Sequence, residues 1–229
     1  MIGIIGAMAV EVENLIAIMA EEKSETISSV TYHIGKIENI SCVVAQCGIG
    51  KVAAAVCAQT MILKYQPRAV INIGVAGGMG QKVHIGDIVV SSGLVQHDVD
   101  TSALGDQKGM ISGINLVTIP ASERLVHLVL STAKQFYGKG IHEGIIATGD
   151  QFIGTAEKLK QIAADFSAAA CEMEGGSVAQ VCYLNQVEFV VIRAISDNAD
   201  DNAENDYASF TVSSAQKLTA LIKELLPVI

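Results

Sequence analysis

The stretch Ile2-Gly3-Ile4-Ile5-Gly6-Ala7-Met8-Ala9-Val10-Glu11-Val12-Glu13-Asn14-Leu15-Ile16-Ala17-Ile18-Met19 changes period partway along. Ile2 to Ile5 is a short, nearly unbroken apolar run, the pattern of a strand buried on both faces. From Val10 to Met19 the residues Val12, Leu15, Ile16 and Met19 share one helical face. Gly6 and Ala7, both small, let the backbone turn between them. A strand that feeds a helix through a tight turn is the opening of an α/β unit, and the alternation continues outward from it.

Thr31–Ile37 and Ile40–Gln46 read as two strands of a meander. Lys51–Tyr65 reads as a helix with Val52, Ala55, Val56, Ile62 and Leu63 facing one way. Ala69–Ile73 and Asp87–Val95 are strands. Glu123–Phe136 is a helix that turns Leu125, Leu128, Val129 and Phe136 inward. Gly144–Thr148 is a strand, Ala156–Asp165 a short helix, Gly175–Leu184 a helix and Val187–Ile195 a strand. Glu204–Leu226 closes the chain as a helix with Phe210, Leu218, Leu221, Ile222 and Leu225 inward. No Pro/Ser-rich linker, repeat or low-complexity tract divides the pattern. These runs predict a single α/β domain over residues 1–229, with a mixed, mostly parallel central sheet flanked by helices on both faces.

Composition narrows the function. The chain has 229 residues, 50% hydrophobic and 17% charged, and a net charge of −9. It is apolar enough to bury a core, which excludes intrinsic disorder. An acidic chain lacks the basic face that neutralises phosphates, so no nucleic-acid partner is expected. Mean hydropathy is high at +0.42. The longest stretch free of Asp, Glu, Lys and Arg nevertheless runs only from Gly109 to Ser122, short of the roughly 20 residues of a spanning helix, so no membrane partner is expected. Glu11 arrives early and no basic segment precedes it, unlike a secretory signal. Cys42, Cys47, Cys57, Cys171 and Cys182 are odd in number, sit in apolar flanks and form no C-x-x-C, as free thiols in a reducing cytoplasm do.

In mostly parallel sheets, ligands bind beyond the carboxyl ends of the strands. The residues there are Gly6-Ala7-Met8 with Glu11, Gly48-Ile49-Gly50-Lys51, Gly74-Val75-Ala76-Gly77-Gly78, Gly149-Asp150-Gln151-Phe152-Ile153 and Arg193-Ala194-Ile195-Ser196-Asp197. Gly74–Gly78 reads as a glycine-rich turn able to bring backbone N–H groups to a ligand. Gly48–Lys51 looks like the end of a P-loop, but Ala45 and Val52 stand where that motif needs Gly and Ser/Thr. Glu172 and Glu174 lie two apart among Ala168, Ala169, Ala170, Cys171 and two glycines, so an extended segment projects both to one face. Asp197 likewise ends an apolar strand. Carboxylates in such surroundings are costly unless they are paired or functional, and Arg193 can pair with one of them. An ion-pair network that only orders the sheet end is the alternative. His97-Asp98-Val99-Asp100 is too sparse for a metal site, and Cys171 beside Glu172 is a poor nucleophile.

These motifs, with Gly86-Asp87-Ile88-Val89-Val90-Ser91 and Glu172-Met173-Glu174, occur in an order and spacing that closely resemble the bacterial 5′-methylthioadenosine/S-adenosylhomocysteine nucleosidases, a family of the purine nucleoside phosphorylase and uridine phosphorylase superfamily. The resemblance runs from residue 1 to about the last helix. It implies a nucleoside phosphorylase-like three-layer sandwich and hydrolysis of the N-glycosidic bond of 5′-methylthioadenosine or S-adenosylhomocysteine, with 5′-deoxyadenosine a further candidate. Carried over residue by residue, Asp197 is the general acid at adenine N7. Glu11 polarises the attacking water together with Arg193, and Glu174 holds the ribose hydroxyls. Phe152 stacks on adenine, and the backbone of Ile153 reads its edge. Ser196 positions Asp197, and Met173 lies along the sugar. Glu172, Ala76 and Gly77 belong to the substrate-binding set, while Met8, Ile49 and Tyr207 line an apolar 5′ pocket. The resemblance also implies no metal or organic cofactor and a homodimer whose Gln96–Ser112 segment closes the neighbour's pocket through Thr101, Leu104 and Ser112.

Phosphorolysis competes with hydrolysis within the superfamily. Phosphate needs a cationic cradle, and the chain has only Arg68, Arg124 and Arg193; Glu11 stands where an anion site prefers Arg. Lys51 is the one cation that weakens this reasoning. Val75 in the glycine-rich turn and the small, polar Thr101–Ser112 segment leave the 5′ substituent open. Futalosine hydrolase, purine nucleoside phosphorylase and a non-catalytic nucleoside-binding module therefore stand as alternatives.

Overall fold

The computed structural model describes residues 1–80, 82–199 and 203–229. Its strands are β1 (Ile2–Gly6), β2 (Ala20–Ile27), β3 (Val30–Ile37), β4 (Ile40–Gln46), β5 (Ala69–Gly78), β6 (Ile88–Gln96), β7 (Ile119–Pro120), β8 (Ile141–Thr148), β9 (Ala168–Glu172) and β10 (Glu188–Asp197). The helices are α1 (Ala9–Ala17), α2 (Lys51–Tyr65), α3 (Glu123–Tyr137), α4 (Ala156–Phe166), α5 (Gly175–Leu184) and α6 (Ala203–Leu225). None of them is long and apolar enough to cross a membrane.

All ten strands join one mixed sheet in the order β10-β6-β8-β9-β5-β1-β4-β3-β2, with β7 beside β6. The α/β class and the β1–α1 opening follow the sequence reading, and the unbroken apolar run of β1 is buried throughout. β1 lies parallel to both β4 and β5, as a doubly buried run should. The alternation did not foretell that the sheet closes on itself. β10 pairs in parallel with β5 along Ala69–Gly77 and antiparallel with β6, so β5, β9, β8, β6 and β10 form a closed ring. The arm β1-β4-β3-β2 extends from β5.

Several local readings need correction. Gly74–Gly78 is not a turn: it is the fully buried end of β5, and it switches its pairing from β1 to β9. The glycines there allow close passage of other side chains, not a change of direction. On α2 the inward residues are Ala54, Cys57, Ala58, Met61 and Ile62, while Val52 and Leu63 are 76% and 68% exposed. Small residues let this helix approach its neighbours closely and turn the larger ones outward. Phe136 on α3 and Phe210 on α6 are exposed as well, although Leu125, Val129, Leu218, Leu221, Ile222 and Leu225 are buried as expected. β2 and β9 were not anticipated. β8 begins earlier than expected, at Ile141, and β10 runs on through Ser196 to Asp197.

Candidate active site

The carboxyl ends of β1, β5, β9 and β10 converge on a cavity of about 280 Å³, lined by Ala7, Met8, Glu11, Ile49, Val75, Ala76, Gly77, Phe152, Cys171, Glu172, Met173, Glu174, Ser196, Asp197 and Tyr207. A smaller recess opens beside it and adds Gln151 and Ile153 while sharing Phe152 and Asp197. Every substrate-side residue named from the sequence thus lines one or the other. Arg193 lines neither. Thr101, Leu104 and Ser112 also lie outside both, with Leu104 84% exposed.

Glu11 is held from the first turn of α1. Its Oε2 accepts from the backbone N–H groups of Ala7 (2.7 Å) and Met8 (2.9 Å), and its Oε1 accepts from Val75 N–H (3.0 Å). It is 3% exposed. Burial pushes its carboxyl above the usual range, against the opposing pull of Arg193 and these N–H groups. Gly74 makes the arrangement possible, since a Cβ there would stand 2.7 Å from Glu11 Oε1 and 3.3 Å from Arg193 Nη1.

Glu172 and Glu174 come together by a different route from the one predicted. β9 ends at Glu172, and Glu174 is the N-cap of α5 with φ −130° and ψ −40°, so the two do not share a strand face. Glu172 turns back on the chain. Its carboxylate accepts from Thr148 Oγ1, Glu174 N–H (3.1 Å), Gly175 N–H (2.7 Å) and Arg193 Nη2. Arg193 is therefore the partner of Glu172, is 1% exposed, and also donates to Asn72 Oδ1 (2.6 Å). Burial alone would lower the Arg193 pKa, but Glu172, Glu174 and Glu11 outweigh it and hold the guanidinium charged. This ion pair orders the sheet end: Arg193 lies behind the cavity wall, while Glu172 and Glu174 both line the cavity. Glu174 Oε1 accepts from Gly50 N–H at 2.8 Å. Burial, then repulsion from Glu172, push its carboxyl up to about 7.

Asp197 sits at a β-bulge. Ile195 pairs with Ala76 and Asp197 with Gly77, leaving Ser196 as the extra residue. Such a bulge re-aims the side chain that follows it. Ser196 Oγ lies 2.9 Å from Asp197 Oδ2, and Ala199 N–H donates to Oδ1 at 2.9 Å. Phe152 and Tyr207 meet edge to face at 5.7 Å between centroids.

Three loops are pinned together around this site. Lys51 Nζ donates to Asp98 Oδ1 (2.7 Å), Asp150 N–H donates to Asp98 Oδ2 (3.0 Å) and Lys51 N–H donates to Asp150 Oδ1 (2.8 Å). Gly50, at φ +98°, supplies the backbone conformation that starts α2 there, and a Cβ on it would stand 3.0 Å from Asp150 Oδ1. The charge of Lys51 is thereby committed to Asp98. Among the described residues, no group of His, Cys, Asp and Glu is placed to hold a metal ion. Sequence reasoning missed Ala7, Gln151 and Cys171 as lining residues. Cys171 lies against Gly77, and burial pushes its thiol far up, as expected of an inert group.

A model of the phosphorylase superfamily matches residues 1–227. A 5′-methylthioadenosine/S-adenosylhomocysteine nucleosidase of Shewanella sp. (strain MR-7) is 42% identical over 226 residues, spanning 98% of this chain and 95% of its own. The Neisseria meningitidis nucleosidase of the same name, solved in complex with methylthio-immucillin-A, superposes with a TM-score of 0.96 at 31% identity, covering 100% of this chain and 99% of its own. Futalosine hydrolase of Helicobacter pylori strain 26695 superposes with a TM-score of 0.95 at 35% identity, covering 100% and 97%. Shared across nearly the full length in both sequence and fold, these likenesses place the chain in the 5′-methylthioadenosine/S-adenosylhomocysteine nucleosidase family of the phosphorylase superfamily.

Proposed function

We propose that this enzyme hydrolyses the N-glycosidic bond of 5′-methylthioadenosine and S-adenosylhomocysteine, releasing adenine and the 5-thio-substituted ribose. The observation that carries the reading is the convergence of Glu11, Glu174 and Asp197 on one cavity, each held by its own hydrogen bonds. Asp197 donates a proton to adenine N7 as the C1′–N9 bond breaks and its electron pair passes into the purine. The ribosyl centre becomes oxocarbenium-like, and the surrounding carboxylates stabilise its developing charge. Water adds at C1′ and gives its proton to Glu11, whose raised basicity suits that task. Glu174 receives the ribose hydroxyls, with Met173 along the sugar. Phe152 stacks on the base, the Ile153 backbone reads its edge and Ser196 orients Asp197. Ala76 and Gly77 form the floor, and Met8, Ile49 and Tyr207 line the 5′ end. Glu172, which lines the cavity, belongs to the substrate-binding set, and Arg193 acts as a positioning residue behind it.

The electrostatics favour water over phosphate as nucleophile. Lys51 is bound to Asp98, Arg193 to Glu172, and Arg124 at 2.7 Å to Glu188, which begins β10 at the end of the strand opposite Asp197. Incubation with 5′-methylthioadenosine, with and without phosphate, tests the reading. Equal adenine release with free methylthioribose is expected; a phosphate-dependent sugar 1-phosphate would overturn it. A homodimer is part of the same proposal. Ile49, Val52, Val56 and Leu63 form an exposed apolar stripe leading from the cavity mouth along α2, suited to a second copy whose Thr101, Leu104 and Ser112 reach the 5′ end.

A further inference from the structure

We infer that the Tyr207 hydroxyl is a hydrogen-bond donor to an uncharged acceptor on C5′ of the nucleoside, so that the site accepts 5′-hydroxyl nucleosides as well as 5′-thioethers. This rests on the nucleosidase reading above.

The cavity has two distinct ends. The recess takes in Asp197, Ile153 and Phe152, the groups that handle a base. Met8, Ile49 and Tyr207 line the main cavity but not the recess, with Glu11 and Glu174 also lining only the main cavity. With the base against Phe152, Asp197 and Ile153, as in the reading above, C5′ points to the part of the main cavity lined by Met8, Ile49 and Tyr207.

Of the three side chains that line the 5′ end in the reading above, Met8 and Ile49 are apolar and Tyr207 carries a hydroxyl, with Glu11 and Glu174 lining the same cavity. The Tyr207 Oη donates to Met8 Sδ at 3.0 Å. A thioether is a weak acceptor, so the hydroxyl is held by a bond that a better acceptor displaces at little cost. The ring packs edge to face against Phe152, and the Tyr207 backbone carbonyl accepts from Thr211 Oγ1 at 2.5 Å. A phenol packed against Phe152, with an exchangeable hydrogen-bond partner, is suited to reading the substrate.

The chemistry of the acceptor is restricted. Burial, then the charges of Glu11, Asp197 and Glu174, push the Tyr207 phenol up, so it remains a donor throughout the neutral range. The same three carboxylates oppose an anionic 5′ group such as a phosphate. A hydroxyl oxygen or a thioether sulfur meets both conditions, and the hydroxyl oxygen is the stronger acceptor.

Adenosine and 5′-deoxyadenosine differ by that one oxygen atom. The test measures kcat/KM for adenine release from both, in phosphate-free buffer, for the wild type, Tyr207→Phe and Met8→Leu. Tyr207→Phe is expected to lower the adenosine to 5′-deoxyadenosine ratio about two- to tenfold, the worth of one neutral hydrogen bond. Met8→Leu removes the competing sulfur and is expected to raise the ratio. An unchanged ratio in Tyr207→Phe overturns the inference while leaving the nucleosidase intact. If Tyr207→Phe fails to fold, an unchanged ratio in Met8→Leu does the same. No adenine from any nucleoside, 5′-methylthioadenosine included, overturns the inference together with the reading beneath it.

Discussion

Replacing Glu172 by Gln keeps the side-chain volume and removes one buried charge. In the native protein that carboxylate collects four donors, and three of them converge on Oε2: Glu174 N–H, Gly175 N–H and Arg193 Nη2. A glutamine oxygen placed there can retain those three. The amide nitrogen would then face Thr148 Oγ1, which already accepts from Gly176 N–H at 2.6 Å and can also accept from the amide. The hydrogen-bond pattern thus survives in outline, and the loss falls on Arg193, left without its paired charge at 1% exposure. Breaking a buried ion pair by removing one partner costs about 3–5 kcal/mol. Glu174 still faces the guanidinium and is freed from repulsion by Glu172, so the low end applies, about 3 kcal/mol. For a domain of this size that corresponds to a fall in Tm of about 6–12 °C. Thermal and urea unfolding of the ligand-free protein measure it. A change in Tm below about 2 °C would show that the Arg193 charge is satisfied elsewhere and that Glu172 does not organise the site.

Three further outcomes follow from the geometry. Glu174 has a folded pKa of about 7 against 4.5 when unperturbed, so the folded state binds its proton more tightly. Glu174 therefore contributes stability to the ligand-free protein that is fully present below about pH 4.5 and is lost as pH rises to 7, by up to about 3 kcal/mol, with Glu11 contributing in the same direction; Glu174→Gln should remove that contribution in urea titrations across the window. Asp197→Asn should reduce kcat for 5′-methylthioadenosine by about 10²–10⁴ while calorimetry still detects ligand binding, since the amide keeps the shape and loses the proton. Gly74→Ala places a methyl group 2.7 Å from Glu11 Oε1, so Glu11 must leave Val75 N–H; kcat should drop at least about tenfold with a stability loss of about 1–3 kcal/mol, and wild-type kinetics would exclude Glu11 as the group that receives the proton from water.

The sequence was most legible where one residue type dominated a period. The helices α2 and α5 emerge with their bounds from pattern alone, and β1 to within one residue. It was least legible where small residues carried the packing. Ala54, Cys57 and Ala58 bury the inner face of α2, and their modest hydrophobicity was outweighed by Val52 and Leu63 on the outside. β2 escaped notice because Glu21, Glu22, Lys23 and Glu25 give it no apolar alternation. The carboxylates of the site were visible as acids in apolar surroundings, and the spacing of Arg193 and Asp197 hinted at an ion pair. The identity of the pair was not visible, because it depends on β9 and β10 flanking β5, a closure made by strands distant in the sequence. Nor could spacing show that Glu174 caps a helix rather than extending a strand.

The closed ring also leaves the sheet with a single long free edge among the described strands, that of β2. Open strand edges are templates for pairing with other chains, and runs of charged side chains along them block that pairing. The edge offered here reads Ala20-Glu21-Glu22-Lys23-Ser24-Glu25-Thr26-Ile27, with most of its side chains in solvent. Beneath it lies β3, whose Val30, Tyr32 and Ile37 are buried. This mostly exposed strand thus shields the molecule against aggregation, and deleting residues 20–27 would uncover a sticky strand without touching a residue that lines the cavity.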